Sequence, residues 1–148
     1  MSLFDPAADR AAIATLVRTF FDAFTSGPDV ATRMEALRAA CLPQAVVIRT
    51  CGGEPTVYDV DGFVAPRQAL LTDGTLEQFR EWELSGHTEV FGDIAHHFCS
   101  YAKEGVQGGA PITGRGMKSL QLVRTSRGWR ISAAAWDDER EGLSLEDD

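Results

Sequence analysis

The strongest constraint on the fold is the stretch from Gly114 to Asp138, GRGMKSLQLVRTSRGWRISAAAWDD. Its two halves alternate in character around a turn at Thr125–Gly128, with Trp129 just beyond, and this is the pattern of two long antiparallel strands. Alternation pairs Arg124 with Trp129. It places Leu120, Leu122, Trp129, Ile131 and Ala133 on one face, expected to be the covered one, and Ser119, Gln121, Val123, Arg130, Ser132 and Trp136 on the other. A hairpin of this length needs something to lie on its apolar face.

The upstream chain supplies candidates. Asp5-Pro6 is a helix start, and Ile13, Leu16, Val17, Phe20 and Phe24 follow at helical spacing until Gly27-Pro28 stops them. Asp29 is placed to cap a second helix with Val30, Met34, Leu37 and Cys41 on one face, which Pro43 is expected to end. Gln44–Thr50, with its AVVI run, reads as a strand, and Thr56–Val60 can return beside it after the CGGEP turn. Asp61-Gly62 would open a short helix with Pro66 near its first turn. Leu76–Phe91 and Ile94–Lys103 then form a hairpin about Gly92-Asp93, a sequence suited to a type II′ turn. The expected class is α+β.

At 148 residues the chain is expected to be a single domain over residues 1–138, followed by an acidic tail at 139–148. The net charge of −8 is concentrated at that end. Seven acids and one Arg from Asp137 onward give −6 and leave −2 for the rest. Such a balance argues against nucleic-acid binding. No apolar run approaches the ~18 residues that span a bilayer, and MSLFDPAADR lacks the pattern of a signal peptide, so a cytoplasmic protein is expected. Cys41, Cys51 and Cys99 are widely spaced with no CxxC, which points to free thiols; neither a metal nor a cofactor is expected.

The order of helix, helix, strand pair, short helix and four long antiparallel strands resembles the nuclear-transport-factor-2-like fold, also described as SnoaL-like or ketosteroid-isomerase-like. The resemblance rests on FFDAF followed by Gly-Pro, on GDIAHHFCSY and on LQLVRTSRGWRISAAAW. It implies a curved, mixed but mostly antiparallel sheet, with the N-terminal helices closing a conical pocket, and a homodimer. The isomerase activity is not implied. The first helix carries Phe20, Phe21 and Phe24 where those enzymes use a Tyr, and the strand at residues 45–50 offers Arg49 rather than an Asp base.

The two-residue loop at Gly92-Asp93 pairs Glu89 with His96 and Thr88 with His97. Trp82, Leu84, Thr88, Val90, Ala95, His97, Cys99 and Tyr101 then share the drier, pocket-facing side. His97 and Tyr101 are the expected catalytic pair, an acid–base imidazole and a hydroxyl that can orient a carbonyl. Trp82, Arg67, Phe20 and Phe24 are the expected ligand contacts. The competing reading makes His97 and Tyr101 core groups bonded to backbone or water, and Arg67 a surface cation. Asp59 and Asp61 fall near the pocket mouth, where Asp61 reads as a helix cap. Glu89, His96 and His87 form a polar cluster on the outer face, better explained as a charge-compensated group than as a metal site. The sequence thus leads to a small-molecule-binding protein, a lyase, isomerase or cyclase on an apolar substrate, or else a non-catalytic binding or dimerisation module.

Overall fold

Asp5 caps the first helix by accepting from Ala8 N at 3.1 Å, and Pro6 takes the first helical position. Helix α1 accordingly spans Pro6–Asp22 in the computed structural model, which describes residues 4–145. Ile13, Val17, Phe20 and Phe21 line its buried side. Helix α2, Val30–Ala40, buries Val30, Met34, Leu37 and Ala40. Cys41 is already the first residue of strand β1, Cys41–Arg49, so Pro43 does not end the helix as expected. It lies where the pairing of β1 is irregular, between Cys41 and Val46, and there a missing amide costs no ladder bond.

Strand β2 is short, Thr56–Tyr58. Helix α3 runs Val60–Thr72 and is capped by Asp59, whose carboxylate accepts from Gly62 N at 2.7 Å. The expected cap, Asp61, instead pairs with Arg38 on α2, and Pro66 sits inside the helix rather than in its first turn. Four long strands follow: β3 Leu76–Phe91, β4 Ile94–Gln107, β5 Ala110–Thr125 and β6 Gly128–Asp138. They lie in one sheet in the order β2-β1-β6-β5-β4-β3, with β1 parallel to β6 and every other pair antiparallel. The architecture is α+β with a mixed, mostly antiparallel sheet.

The turn at Gly92-Asp93 holds the expected register, with Phe91 opposite Ile94, Glu89 opposite His96 and Thr88 opposite His97. Beyond it the pairing of the four long strands shifts at three places, one of them between Glu77 and Arg80, and the other two rewrite the faces around the site. The first of these two falls between Glu83 and Ser85 and leaves Leu84 exposed. It puts Glu81 and Glu83 on the same inner face as Thr88, because one extra residue shifts the alternation by one. The second, between Gln121 and Leu122, leaves Ser132 as the extra residue of β6. Trp129 and Ile131 are buried as expected; past Ser132 it is Ala134, Trp136 and Asp138 that turn inward, in place of Ala133.

The helices cover the inner face with phenyl rings. Phe20 packs edge-on against Phe24 at 5.4 Å between centroids, Phe24 against Phe63 at 5.6 Å, and Phe63 against Trp136 at 5.6 Å. Between the β5–β6 hairpin and α1 a lock around the buried Asp9 closes the far end. Arg124 donates two hydrogen bonds of 2.8 Å to Asp9, and Trp129 Nε1 donates a third at 3.1 Å. At the other end Glu139 accepts from Arg115, Ser144 and Leu145 N, which folds residues 139–145 back on the sheet. No helix among the described residues is long and apolar enough to cross a membrane.

Candidate functional site

Leu122 and Leu120 point inward from β5, and strict alternation brings Lys118 to the same face. A lysine so placed needs compensation, since an unpaired buried ammonium is costly. It finds it in Glu81, whose Oε1 lies 3.0 Å from Lys118 Nζ. Aromatic faces supply the rest: Nζ stands 4.2 Å from the centre of the Tyr101 ring and about 5.5 Å from those of Phe20, Phe21, Phe24 and Trp136. Glu81 Oε1 is itself buried and makes no hydrogen bond among the described residues, so its only compensation is this ion pair.

One row further along, Tyr101, Gly116 and Asp138 stand in register across three strands. Gly116 is required there: a Cβ would lie 2.3 Å from Asp137 O and 2.8 Å from Asp138 Oδ1. Its absence lets Asp138 lean over and accept from the Tyr101 hydroxyl. Asp138 also accepts from Lys103 Nζ at 3.0 Å and from Cys51 Sγ at 3.4 Å. Burial works against its charge, but the hydrogen bonds from Tyr101 and Lys103 prevail and hold the carboxyl below its ordinary range. The same burial, reinforced by Asp138, pushes the Tyr101 phenol well above its usual value. The Tyr101 hydroxyl proton is therefore held between the phenol and Asp138.

These groups line a cavity of about 170 Å³ inside the sheet's concave face, walled by Phe24, Phe63 and Trp136. Arg49 reaches it from β1 and Arg67 from α3, so four cations face two carboxylates, Glu81 and Asp138. Lys118 and Lys103 are each paired with one of those carboxylates. Arg49 and Arg67 have no carboxylate partner among the described residues. The Arg67 guanidinium is held 4.1 Å over the Phe63 ring, between Tyr58 and Trp136, and donates to Phe63 O at 3.1 Å. An arginine held over rings and lacking a carboxylate partner presents its remaining donors to whatever enters.

The structure separates the expected catalytic pair. Both side chains are on the inner face of β4, but four residues apart, about 13 Å along a strand. Tyr101 lines the cavity with Arg67 and Phe24, while Phe20 lies behind them in the core. His97 faces another cleft, between α1 and β3, where Nε2 lies 2.5 Å from Glu83 Oε2 and Nδ1 lies 2.6 Å from Thr88 Oγ1. Trp82 is away from the cavity of Tyr101 and borders the cleft of His97: the bulge at Leu84 puts it out of step with the inner face, and the Arg80 guanidinium lies over its ring at 4.1 Å. On the outer face the histidine cluster does not converge. His87 meets Glu89 at 3.2 Å, and His96 meets Ser119 at 2.9 Å.

Sequence reasoning missed seven of the ten residues that line the cavity, Phe63, Trp136 and Lys103 among them. Lys118 was within reach, because alternation through the buried leucines leads to it. Glu81 was hidden by the bulge, Asp138 by its place at the head of an acidic run, and Arg49 was noted only as the absence of an Asp.

No family model and no curated protein matches the sequence. Solved structures do match the backbone. A nuclear transport factor 2 (NTF2-like) superfamily protein from Salmonella enterica superposes with a TM-score of 0.76 at 11% identity, over 96% of this chain and 99% of that one. The type 2 hexachlorocyclohexane dehydrochlorinase LinA gives 0.75 at 15% identity, over 94% and 90%. The Kfla4162 protein from Kribbella flavida gives 0.73 at 18%, over 92% and 94%. Matched from end to end at identities that speak for backbone alone, the chain has the nuclear-transport-factor-2-like fold.

Proposed function

We propose that the protein binds a small organic anion in the cavity between Arg49, Arg67, Lys118 and Tyr101, and moves a proton on it in a lyase or isomerase type of reaction. The observation that carries this reading is the cation excess on the cavity wall, with Arg67 held on aromatic rings and lacking a carboxylate partner. Arg67 is suited to hold a carboxylate or phosphate in bidentate fashion. The apolar body of the ligand would lie against Phe24, Phe63 and Trp136. Glu81, paired with Lys118 through Oε1, is the carboxylate we assign to take a proton from the ligand. Tyr101, whose single hydroxyl proton is given to Asp138, can accept a hydrogen bond from the ligand, while the neighbouring cations would balance a developing oxyanion.

The size of the cavity sets the size of the ligand. About 170 Å³ falls below the ~300–1,000 Å³ usual for drug-sized molecules, and suits a compact metabolite. A thermal-shift screen of short-chain carboxylic and phosphate-bearing acids against their amides and alcohols tests the reading. The acids should raise the melting temperature, and Arg67→Gln should weaken binding of the best one by about 10-fold or more, the effect of ~1.5–3 kcal/mol for a hydrogen bond to a charged group. Equal response to neutral isosteres would refute it.

Two features support a homodimer formed through the outer sheet face. Phe91, Ile94 and Phe98 are 84%, 60% and 49% exposed there, and a groove of about 380 Å³ runs beside them. The three free thiols fit a reducing compartment and so the cytoplasmic reading.

A further inference from the structure

Outside the cavity, one cluster of side chains combines the donors that a transition metal takes. A carboxylate oxygen of Glu83, a ring nitrogen of His97 and the sulfur of Cys99 lie within 4.8 Å of one another. His97 and Cys99 are two residues apart on β4 and share its inner face. Glu83 joins them from β3 because the bulge at Leu84 re-aims it. His97 and Cys99 are buried, while the Glu83 side chain is 35% exposed and opens the cluster to a cleft of about 320 Å³ under α1. Gly86, opposite Cys99, keeps the meeting point clear. A Cβ there would stand 2.6 Å from Glu83 Oε2 and 2.8 Å from His97 Nε2.

We propose that Glu83, His97 Nε2 and Cys99 Sγ bind a zinc ion, with the fourth position open to the cleft. Zinc is borderline-soft, accepts nitrogen, sulfur and oxygen together, and in open sites keeps three protein ligands plus a water. Ordinary bond lengths require donors about 3–4 Å apart, so binding would widen the 2.5 Å His97–Glu83 contact and draw in any donor near the 4.8 Å limit. Thr88 would fix the ring: with a metal on Nε2 in place of the proton that faces Glu83, its hydroxyl would accept from Nδ1–H, as outer partners of metal-bound histidines do. Lys118, in register with Cys99 on β5, is neutralised by Glu81 and adds no unbalanced positive charge.

The proton balance follows from the donors. Without a metal, Cys99 is a buried thiol that carries its proton. On binding, the thiol proton leaves to solvent, the ring carries its proton on Nδ1, and two negative charges, thiolate and carboxylate, meet the divalent ion. Affinity should therefore rise with pH.

The test uses the whole protein, stripped with a chelator and titrated with Zn²⁺, and with Co²⁺ as a spectroscopic substitute. One equivalent should survive gel filtration, and the Co²⁺ form should show a thiolate-to-metal charge-transfer band. Cys99→Ser should remove that band, and Thr88→Val should keep it while weakening Zn²⁺ binding by about 10–100-fold. His87→Ala, on the outer face, should change nothing. No retained metal, or a wild-type Co²⁺ spectrum without the thiolate band, would overturn the proposal. So would a stoichiometry untouched in a folded Cys99→Ser variant. The wild-type spectrum needs no variant and decides the matter even if Cys99→Ser fails to fold.

Discussion

A single carboxylate, Asp9, shows how far one residue can reach in this chain. It accepts from Arg124 and Trp129, residues more than a hundred positions away, and so ties the first helix to the last hairpin. The hydrogen bonds from Arg124, followed by that from Trp129, hold its carboxyl below the ordinary range. A depressed folded value means a contribution that is fully present above the unfolded pKa of ~3.9 and is lost as pH falls through the folded one. Asp9→Asn should therefore lower the melting temperature at pH 7, and the gap to wild type should narrow as pH drops below about 4. A gap unchanged at pH 3 would mean the charge of Asp9 contributes nothing. At this scale the sequence was only partly legible. Asp9 looked like any helical acid, and Asp138 like the start of an acidic tail, because their partners become neighbours only through the sheet register.

Among the elements, the β5–β6 hairpin was the most legible, and it shows where legibility stops. The pairing of Arg124 with Trp129 follows from alternation alone. Trp129, buried against the helices, should cost about 3–5 kcal/mol on replacement by Ala, measured by denaturant unfolding; a change under 1 kcal/mol would show that it does not support the core. Past Ser132 the alternation fails, and Trp136 enters the concave face that a strict period of two denies it. The bulge at Leu84 does the same to β3. There it exchanges Trp82 for Glu81 and Glu83, so an expected ligand contact falls out of step with the inner face and two carboxylates take its place inside. A bulge inserts one residue without a distinctive sequence signal, and every residue beyond it changes sides. Helix boundaries were lost for local reasons: Asp59 captured the cap of α3 that Asp61 was expected to supply, since its oxygen reaches Gly62 N.

Across the whole molecule, the order of elements was enough to anticipate the fold, because few arrangements let three helices cover one face of such a sheet. The other face is left with Phe91, Ile94 and Phe98 exposed, and the homodimer proposed above would cover them. Sedimentation at micromolar concentration should give a dimer, and Phe91→Asp should shift it toward monomer; a wild-type monomer would rule that assembly out. The interior was less legible than the frame. An apolar pocket with His97 and Tyr101 inside it and Arg67 as a ligand contact was expected, whereas the concave face holds a compact cavity with aromatic walls and an excess of cations. A crystal structure grown with the best small acid from the screen tests this most directly. The account predicts its anionic group against Arg67, with its body on Phe63 and Trp136. An acid bound only in the groove beside Phe91, with the cavity holding water alone, would contradict it.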